Sequence, residues 1–377
     1  MIKANYNEFL ITSIGHFLVH SMTMILPAIL IILQKEFSIS LFELGKLVTI
    51  QIMFLGLGGF PSGILVDCYG EKKVLSVYFI GLFVSTVWLY FSQTFFMVAV
   101  GLGLLGLITG LYHPAGLKIV SNSINISKFM SYHGVFGSIG LAFGPIYGSL
   151  MISFFNWRLA YLFLGIFSMI GLFLLFKYDD NDRKIKNINI KIKFSSSQIM
   201  IMLIASLWGL AHHGLFNFLP YYFREAVKTN FNPILFSGFL TSFILILGVL
   251  GQLIGGILGE KFDRKNIYIV IVGLNIPFLI MMGFTSGWIL IFITGFLGAI
   301  NFMFQPINNS LLADVTGNSQ RGTVYGFSAG ISFGIGSLSG MIGGYFGEIF
   351  SINYIFPIMT IFLIPAVFLA IILKKML

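Results

Sequence analysis

Charge and cysteine are what this chain has least of. Only 9% of its 377 residues are charged, and Cys68 is the single cysteine. One thiol excludes an internal disulfide and leaves the redox compartment unspecified. A soluble domain carries about 25% charged residues, so a chain this poor in charge cannot cover a water-facing surface. The mean hydropathy of +0.95 points the same way, as do 57% hydrophobic residues with 42 Phe and 43 Gly. The expected solvent is the bilayer. Phe faces lipid well, and Gly lets helices pack closely or bend. The net charge of +9 does not signal nucleic acid, because the basic residues are scattered through short polar breaks. Membrane topology accounts for them.

Apolar runs of about 20 residues recur along the chain. They predict twelve spans, at 8–33, 43–65, 74–92, 95–118, 130–152, 158–177, 198–222, 234–259, 267–285, 288–312, 321–345 and 351–373. The first run is too long for a signal-peptide core and is expected to be a retained helix. The longest polar break, KYDDNDRKIKNINIKIKFSSSQ, separates six spans from six. The expected organisation is a bundle over 1–177, a cytoplasmic linker over 178–197 and a second bundle over 198–377. With both termini in the cytoplasm, 17 of the 22 Lys and Arg residues fall inside: Lys3, Lys72, Lys73, Lys118, Lys128, Lys177, Arg183, Lys184, Lys186, Lys191, Lys193, Lys261, Arg264, Lys265, Arg321, Lys374 and Lys375. Lys35, Lys46, Arg158, Arg224 and Lys228 fall outside. The positive-inside rule therefore predicts a multi-pass protein of the plasma (inner) membrane with both termini cytoplasmic.

The two halves repeat at an offset of about 193 residues. HSMTMILP (20–27) aligns with HGLFNFLP (213–220), and GILVDCYGEKK (63–73) with GILGEKFDRKN (256–266). His113-Pro114 falls on Gln305-Pro306, and Gly144 and Gly148 fall on Gly336 and Gly340. Parallel repeats of six spans are a transporter architecture with the substrate site near the midplane between the halves.

The stretch Gly63 to Lys73 resembles the loop 2–3 signature of the major facilitator superfamily, with Gly63, Asp67, Gly70, Lys72 and Lys73 in place. A weaker copy with Glu260, Arg264 and Lys265 follows span 8. Cys68 and Glu71 depart from the pattern, which favours basic residues there. Within the superfamily, TGLYHPAGLKI and HGVFGSIGLAFGP are similar to the branch of the fosmidomycin-resistance exporters. The resemblance implies an all-α membrane fold of twelve helices in two pseudo-twofold six-helix bundles around a central cavity. It also implies a gating role for Asp67, against the plainer view of a topology marker in a polar loop. Gly140, Gly144, Pro145 and Gly148 resemble the span 5 signature of proton-coupled exporters, with Ser149 in the last glycine place. Small residues at every fourth position also serve ordinary helix packing, and Pro145 bends the helix.

No acid is expected at the centre of a span, whereas all six histidines fall within spans. Ionisable residues in membrane helices often mark proton or substrate paths, and imidazole titrates near neutral pH. His16 and His20 share one helix face at i and i+4. His213 is the repeat mate of His20, so the two are expected to face each other across the cavity. His113 lies at a kink made by Pro114. With Tyr112, Asn217, Gln305, Asn308 and Asn309, these histidines form the candidate proton and substrate site. His212 lies about 100° from His213 around the helix, and it is expected to pack or hydrogen-bond, as is His133. Arg158, after Trp157, is expected to be an interfacial anchor.

The function expected is secondary active transport of a small neutral or anionic solute, coupled to protons, with antiport export preferred. A buried acid for a cationic drug is missing. Uptake symport and passive facilitation are the alternatives. A histidine-rich membrane metalloenzyme is a remote one, since such centres need H-x-x-H-H spacing and more ligands. No enzyme activity, cofactor or metal is expected, and a monomer in the bilayer is. Replacing His213 should change the pH dependence of transport, and replacing His212 should mainly lower stability. Indistinguishable pH profiles for the two variants would remove the distinction.

Overall fold

A computed structural model of the chain describes residues 6–121, 126–178, 194–317 and 321–377. Lys3, the acids Asp179, Asp180 and Asp182, the basic residues Arg183, Lys184, Lys186, Lys191 and Lys193, and most of the expected 178–197 linker lie outside the described residues. The described chain is helical. Its elements are α1 (Tyr6–Phe37), α2 (Leu41–Tyr69), α3 (Glu71–Tyr90), α4 (Phe95–Gly110), α5 (Tyr112–Ser121), α6 (Ile126–Phe154) and α7 (Trp157–Phe176). After the central segment come α8 (Ser196–Ala226), α9 (Pro233–Lys261), α10 (Arg264–Phe284), α11 (Gly287–Phe302), α12 (Phe304–Asp314), α13 (Arg321–Gly336), α14 (Ser339–Ile349) and α15 (Ile355–Met376). Among the described residues, eleven helices or helix pairs are long and apolar enough to cross a membrane by length and composition. The twelfth segment is 321–349, divided between α13 and α14.

Apolar side chains turn outward along this bundle, as a lipid-facing surface requires. Phe91, Phe154, Phe231, Phe284 and Phe350 cluster by sequence at the ends of helices away from the termini, together with Trp288. They form an aromatic belt at what we call the far side. The near side carries the start of α1 and the end of α15.

Helix ends follow local chemistry. Ser40 and Ser195 start α2 and α8 with reciprocal capping boxes to Glu43 and Gln198, which satisfies backbone donors that the first turn leaves free. Gly70, at φ 83, turns the chain between α2 and α3, a backbone region that an L side chain rarely adopts. Two spans break at repeat-related places. Pro114 cannot donate and its ring crowds the Gly110 carbonyl, so α4 stops at Gly110 and α5 begins at Tyr112. Pro306 does the same between α11 and α12, where the break falls at Met303.

The halves meet through α2 against α13 and α14, and α6 against α9. In each meeting a hydroxyl from one half enters a bend in the other. Thr49 Oγ1 donates to the Ser337 carbonyl at 2.9 Å, and Met341 N–H donates back to it at 3.0 Å. The hydroxyl thus replaces the helical bond from Met341 to Ser337, and α13 breaks from α14 there. Ser242, 193 residues after Thr49, accepts from Ile146 N–H at 3.0 Å, next to the bend at Pro145. Close backbone approach accompanies both contacts. A side chain at Gly45 would run into the Gly340 carbonyl, and one at its repeat mate Gly238 into Ser149 Oγ.

Further bonds close the far side. Tyr221 Oη donates to Gln34 Oε1 at 2.8 Å, and Phe42 N–H donates to Glu348 Oε2 at 2.9 Å. That backbone donor, helped by the Ser40 hydroxyl and Lys46, holds the Glu348 carboxyl below the usual carboxylate range. Within the first half, Arg158 and Trp157 clamp Glu36 at 2.6 and 2.7 Å, and Arg158 also reaches the Ser92 carbonyl.

Thr49→Val keeps the shape at Ser337 but strands the Met341 N–H. We expect a loss of about 1–3 kcal/mol, read as a lower unfolding midpoint in detergent, with Thr49→Ser near wild type. An unchanged midpoint for Thr49→Val would show that the bend does not depend on this hydroxyl.

Candidate functional site

Histidines from three helices converge beside the break at Leu111. His16 and His20 project from one face of α1. Their Nε2 atoms lie 3.2 Å apart, and the ligand nitrogens of His16, His20 and His113 all lie within 4.8 Å of one another. His113 reaches the cluster because Pro114 starts a new helix there. His133 comes from α6 and stacks on His16 with ring centroids 4.0 Å apart and planes inclined by 17°. His16 Nδ1 lies 2.6 Å from the His133 carbonyl. That oxygen can only accept, so Nδ1 carries the proton and Nε2 of a neutral His16 turns its lone pair toward His20. The first three rings are only partly buried, whereas His133 is 5% exposed.

Tyr112 underlies the group. It is fully buried, its ring fills the space left by Gly15 and Gly116, and its hydroxyl donates to the Thr12 carbonyl. The ring stacks beneath His16 at 5.7 Å. The hydroxyl that the sequence offers to a substrate is therefore used in packing α5 against α1. His133, expected only to pack or hydrogen-bond, joins the cluster, and its distance of 117 residues from His16 hid this.

The second half arranges its histidines differently. His212 Nδ1 donates to Asn301 Oδ1 at 2.6 Å, and Asn301 Nδ2 donates to Asn275 Oδ1 at 3.0 Å, which ties α8 to α11 and α10. His212 also stacks on Trp208 at 4.5 Å. His213 turns to α13, against Phe333 and the space beside Gly336. Asn217 is buried and donates to the His213 carbonyl at 2.8 Å. Gln305 is exposed and accepts from Gln252 Nε2 at 3.0 Å. Asn309 is exposed, whereas Asn308 is buried and accepts from the Tyr268 hydroxyl at 2.8 Å.

The span 5 glycines pack on α1. A Cβ on Gly140 would strike the Phe17 carbonyl, one on Gly144 would lie 2.5 Å from the Met24 Cβ, and one on Gly148 3.1 Å from the Ala28 Cβ. This is a close helix-packing face. Pro145 and Ser149, beside it, meet α9 at Gly238.

At the near side, Asp67 Oδ1 and Glu71 Oε2 lie 3.1 and 3.6 Å from Lys118 Nζ. Lys118 also donates to the Val66 carbonyl, and Lys72 to the Tyr178 carbonyl at 2.6 Å. Lys73 and Glu260 are exposed. The loop signature thus ties α2, α3, α5 and α7 of one half. Its counterpart reverses the signs: Arg264, repeat mate of Glu71, grips Asp314 at 2.7 and 2.9 Å and donates to the Gly259 carbonyl. Lys265 lies at the start of α10, where its N–H is capped by Asp263.

A helical bundle with two repeated halves, apolar outside and polar at its interior seams, is the build of a membrane transporter. The chain belongs to the Major Facilitator Superfamily, whose family model matches residues 12–327 and 225–375. It is therefore a multi-pass membrane transporter rather than an enzyme. It is 24% identical over 384 residues to an uncharacterized transporter of Buchnera aphidicola, covering 96% of this chain and 90% of the relative. It is 22% identical over 243 residues to a TsgA homolog from the same organism, covering 63% of this chain and 62% of that protein. The chain thus spans less than two thirds of the TsgA homolog's length. Among solved structures, a bacterial homolog of the human lysosomal transporter Spinster, in an inward-facing and unoccupied conformation, superimposes with a TM-score of 0.85. The two share 14% identity, with 100% of this chain and 98% of that one covered.

Lys118 and Asp67 are respectively 28% and 54% exposed, so solvent screens their attraction. A double-mutant cycle on Asp67→Asn and Lys118→Met should give a coupling of about 1 kcal/mol or less. A markedly larger coupling would mean that the pair is structural.

Proposed function

We propose that the chain is a secondary active transporter that moves a small neutral or anionic solute by alternating access, coupled to protons. The observation that carries this reading is a stripe of glycines on the two helices that cross the seam. Gly45 and Gly63 are 18 residues apart on α2, as are Gly238 and Gly256 on α9. Eighteen residues make five helical turns, so each pair shares a face about 27 Å long. At the far end both glycines are in tight contact with the other half. At the near end, Gly63 and Gly256 have nothing within 4 Å of where a Cβ would lie. Gly134 on α6 and Gly326 and Gly334 on α13 are open in the same way. Rocking one half against the other would open the far contacts and close these gaps, which is the motion that repeated bundles support.

The near side is taken as cytoplasmic in the plasma membrane, on the strength of the basic residues gathered there. The two bundles are taken as 1–177 and 198–377. Asp67 and Arg264 lie where near-side closure would bring the halves together, which favours a gating role for this loop. Proton coupling rests on the histidines. Among the described residues every acid lies at or beside a helix end, so imidazoles are the groups left to carry a proton within the spans. His20 and His213 remain the favoured pair, one from each half. The resemblance of 109–119 and 133–145 to the fosmidomycin-resistance exporters favours antiport over uptake. Arg224 and Lys228 at the far side suit an anionic solute.

Proteoliposomes screened with neutral and anionic solutes at two pH values test this. Transport should stop when the proton gradient is collapsed, and Gly63→Leu with Gly256→Leu should slow it at least tenfold without lowering the unfolding midpoint. Undiminished flux without a gradient would leave a facilitator, and undiminished flux in the double variant would remove the proposed closure.

A further inference from the structure

The histidine cluster has more ligand atoms than a proton needs. We infer that His16, His20 and His113 form a binding site for one divalent transition-metal ion of the zinc class.

The geometry supports this in three ways. His16 and His20 are spaced i and i+4 on α1, the helical spacing that turns two imidazoles toward one ion. Their Nε2 atoms are 3.2 Å apart. A tetrahedral ion with metal–nitrogen bonds of about 2.0–2.1 Å holds its ligand atoms about 3.3 Å apart. His113 completes a three-nitrogen face, with its ring centroid 5.3 Å from His16 and 5.5 Å from His20. Its ligand nitrogen lies within 4.8 Å of the others.

The outer contacts match as well. A ligating histidine almost always donates its second ring nitrogen to a carboxylate, carbonyl or water, which fixes the tautomer. His16 Nδ1 is already committed to the His133 carbonyl, which leaves Nε2 as the ligand atom. Tyr112 stacks under the same ring and holds its plane.

Both ring nitrogens of His133 are buried without a hydrogen-bond partner, although such groups are normally satisfied. Its ring stacks on His16 and lies outside the group of three ligand nitrogens, so it backs the His16 ring rather than adding a ligand.

The ligand set also narrows the ion. Neutral imidazoles suit Zn, Cu, Fe and Ni, whereas Mg and Ca need oxygen ligands. Carboxylates are missing from the three-residue cluster, so a bound dication would keep its charge and attract an anion or hydroxide to its open position. The three ligands are partly exposed, which provides a path of entry. The site is carried by the histidine geometry and does not rest on the solute or direction proposed above; an ion would occupy the His20 Nε2 lone pair, so His20 takes up a proton only while the site is empty.

The test uses the full-length protein purified without a polyhistidine tag and titrated with Co²⁺, whose visible absorption reports coordination geometry. We expect one Co²⁺ per chain with a tetrahedral spectrum, displaced by an equivalent of Zn²⁺. His16→Gln, His20→Gln and His113→Gln should each weaken binding at least tenfold, and His212→Gln should leave it within twofold. In the unmodified protein, Zn²⁺ should protect His16, His20 and His113 from carbethoxylation, as read by mass spectrometry, and leave His212 unprotected. That second measurement stands even where a variant does not fold. Failure of Co²⁺ to saturate at one site, or equal labelling of the three histidines with and without Zn²⁺, would overturn the site. Neither result bears on solute transport, which the proteoliposome screen decides separately.

Discussion

A backbone N–H or C=O inside hydrocarbon has no water to bond, so each must find its partner within the protein. That constraint makes every span a helix and makes every interruption of a helix costly. Among the described residues three spans are broken, at Leu111, Met303 and Ser337, and at Pro145 the continuous α6 takes a bond from outside its own backbone. Pro114 and Pro306 break two spans at related places within the halves. At Ser337 and Pro145 the bend instead receives a hydroxyl from the opposite half, Thr49 or Ser242. The backbone of one bundle is therefore completed by the other. The seam is a bonded one at those points, and the helices can approach there because Gly45 and Gly238 lack side chains.

The same breaks position the polar groups. A continuous α4 would carry His113 along a regular helical path. The break at Leu111 sets it on α5, beside His16 and His20. Gly15, Gly116 and Gly137 then clear space for the Tyr112 and His16 rings. The pairs Lys118–Asp67 and Arg264–Asp314 belong to a different layer, partly exposed, salt-screened and cheap to rearrange, whereas Glu71 beside Lys118 is buried. That suits a loop expected to change partners more than one that holds the fold together.

Much of this was legible in the chain itself. The spans follow from apolar run length, and the predicted 43–65 and 234–259 sit inside the observed α2 and α9. The repeat offset paired His113-Pro114 with Gln305-Pro306, and both proline breaks occur. The offset also pairs Thr49 with Ser242, but two hydroxyls in apolar helices look ordinary until their partners are known. The position of the Tyr112 hydroxyl is hidden for a related reason. A tyrosine next to a kink offers a hydroxyl, and only packing shows that Thr12 takes it. The span 5 glycines fit either an exporter signature or a packing face in sequence, and their contacts are with α1.

The sequence by itself determined the solvent, the helices, the proline breaks and the twofold repeat, because those depend on residue type and spacing along one chain. Tertiary structure alone decided which distant residues meet. It drew His133 from α6 onto His16 on α1, sent His213 toward α13 rather than toward those rings, and set Thr49 and Ser242 into bends of the opposite half. The physical reason is that a helix presents several faces of similar polarity in a chain this apolar. Hydropathy cannot rank those faces. Close contact can, because a glycine, a hydroxyl or an imidazole fits only where a particular neighbour leaves room and supplies a bond.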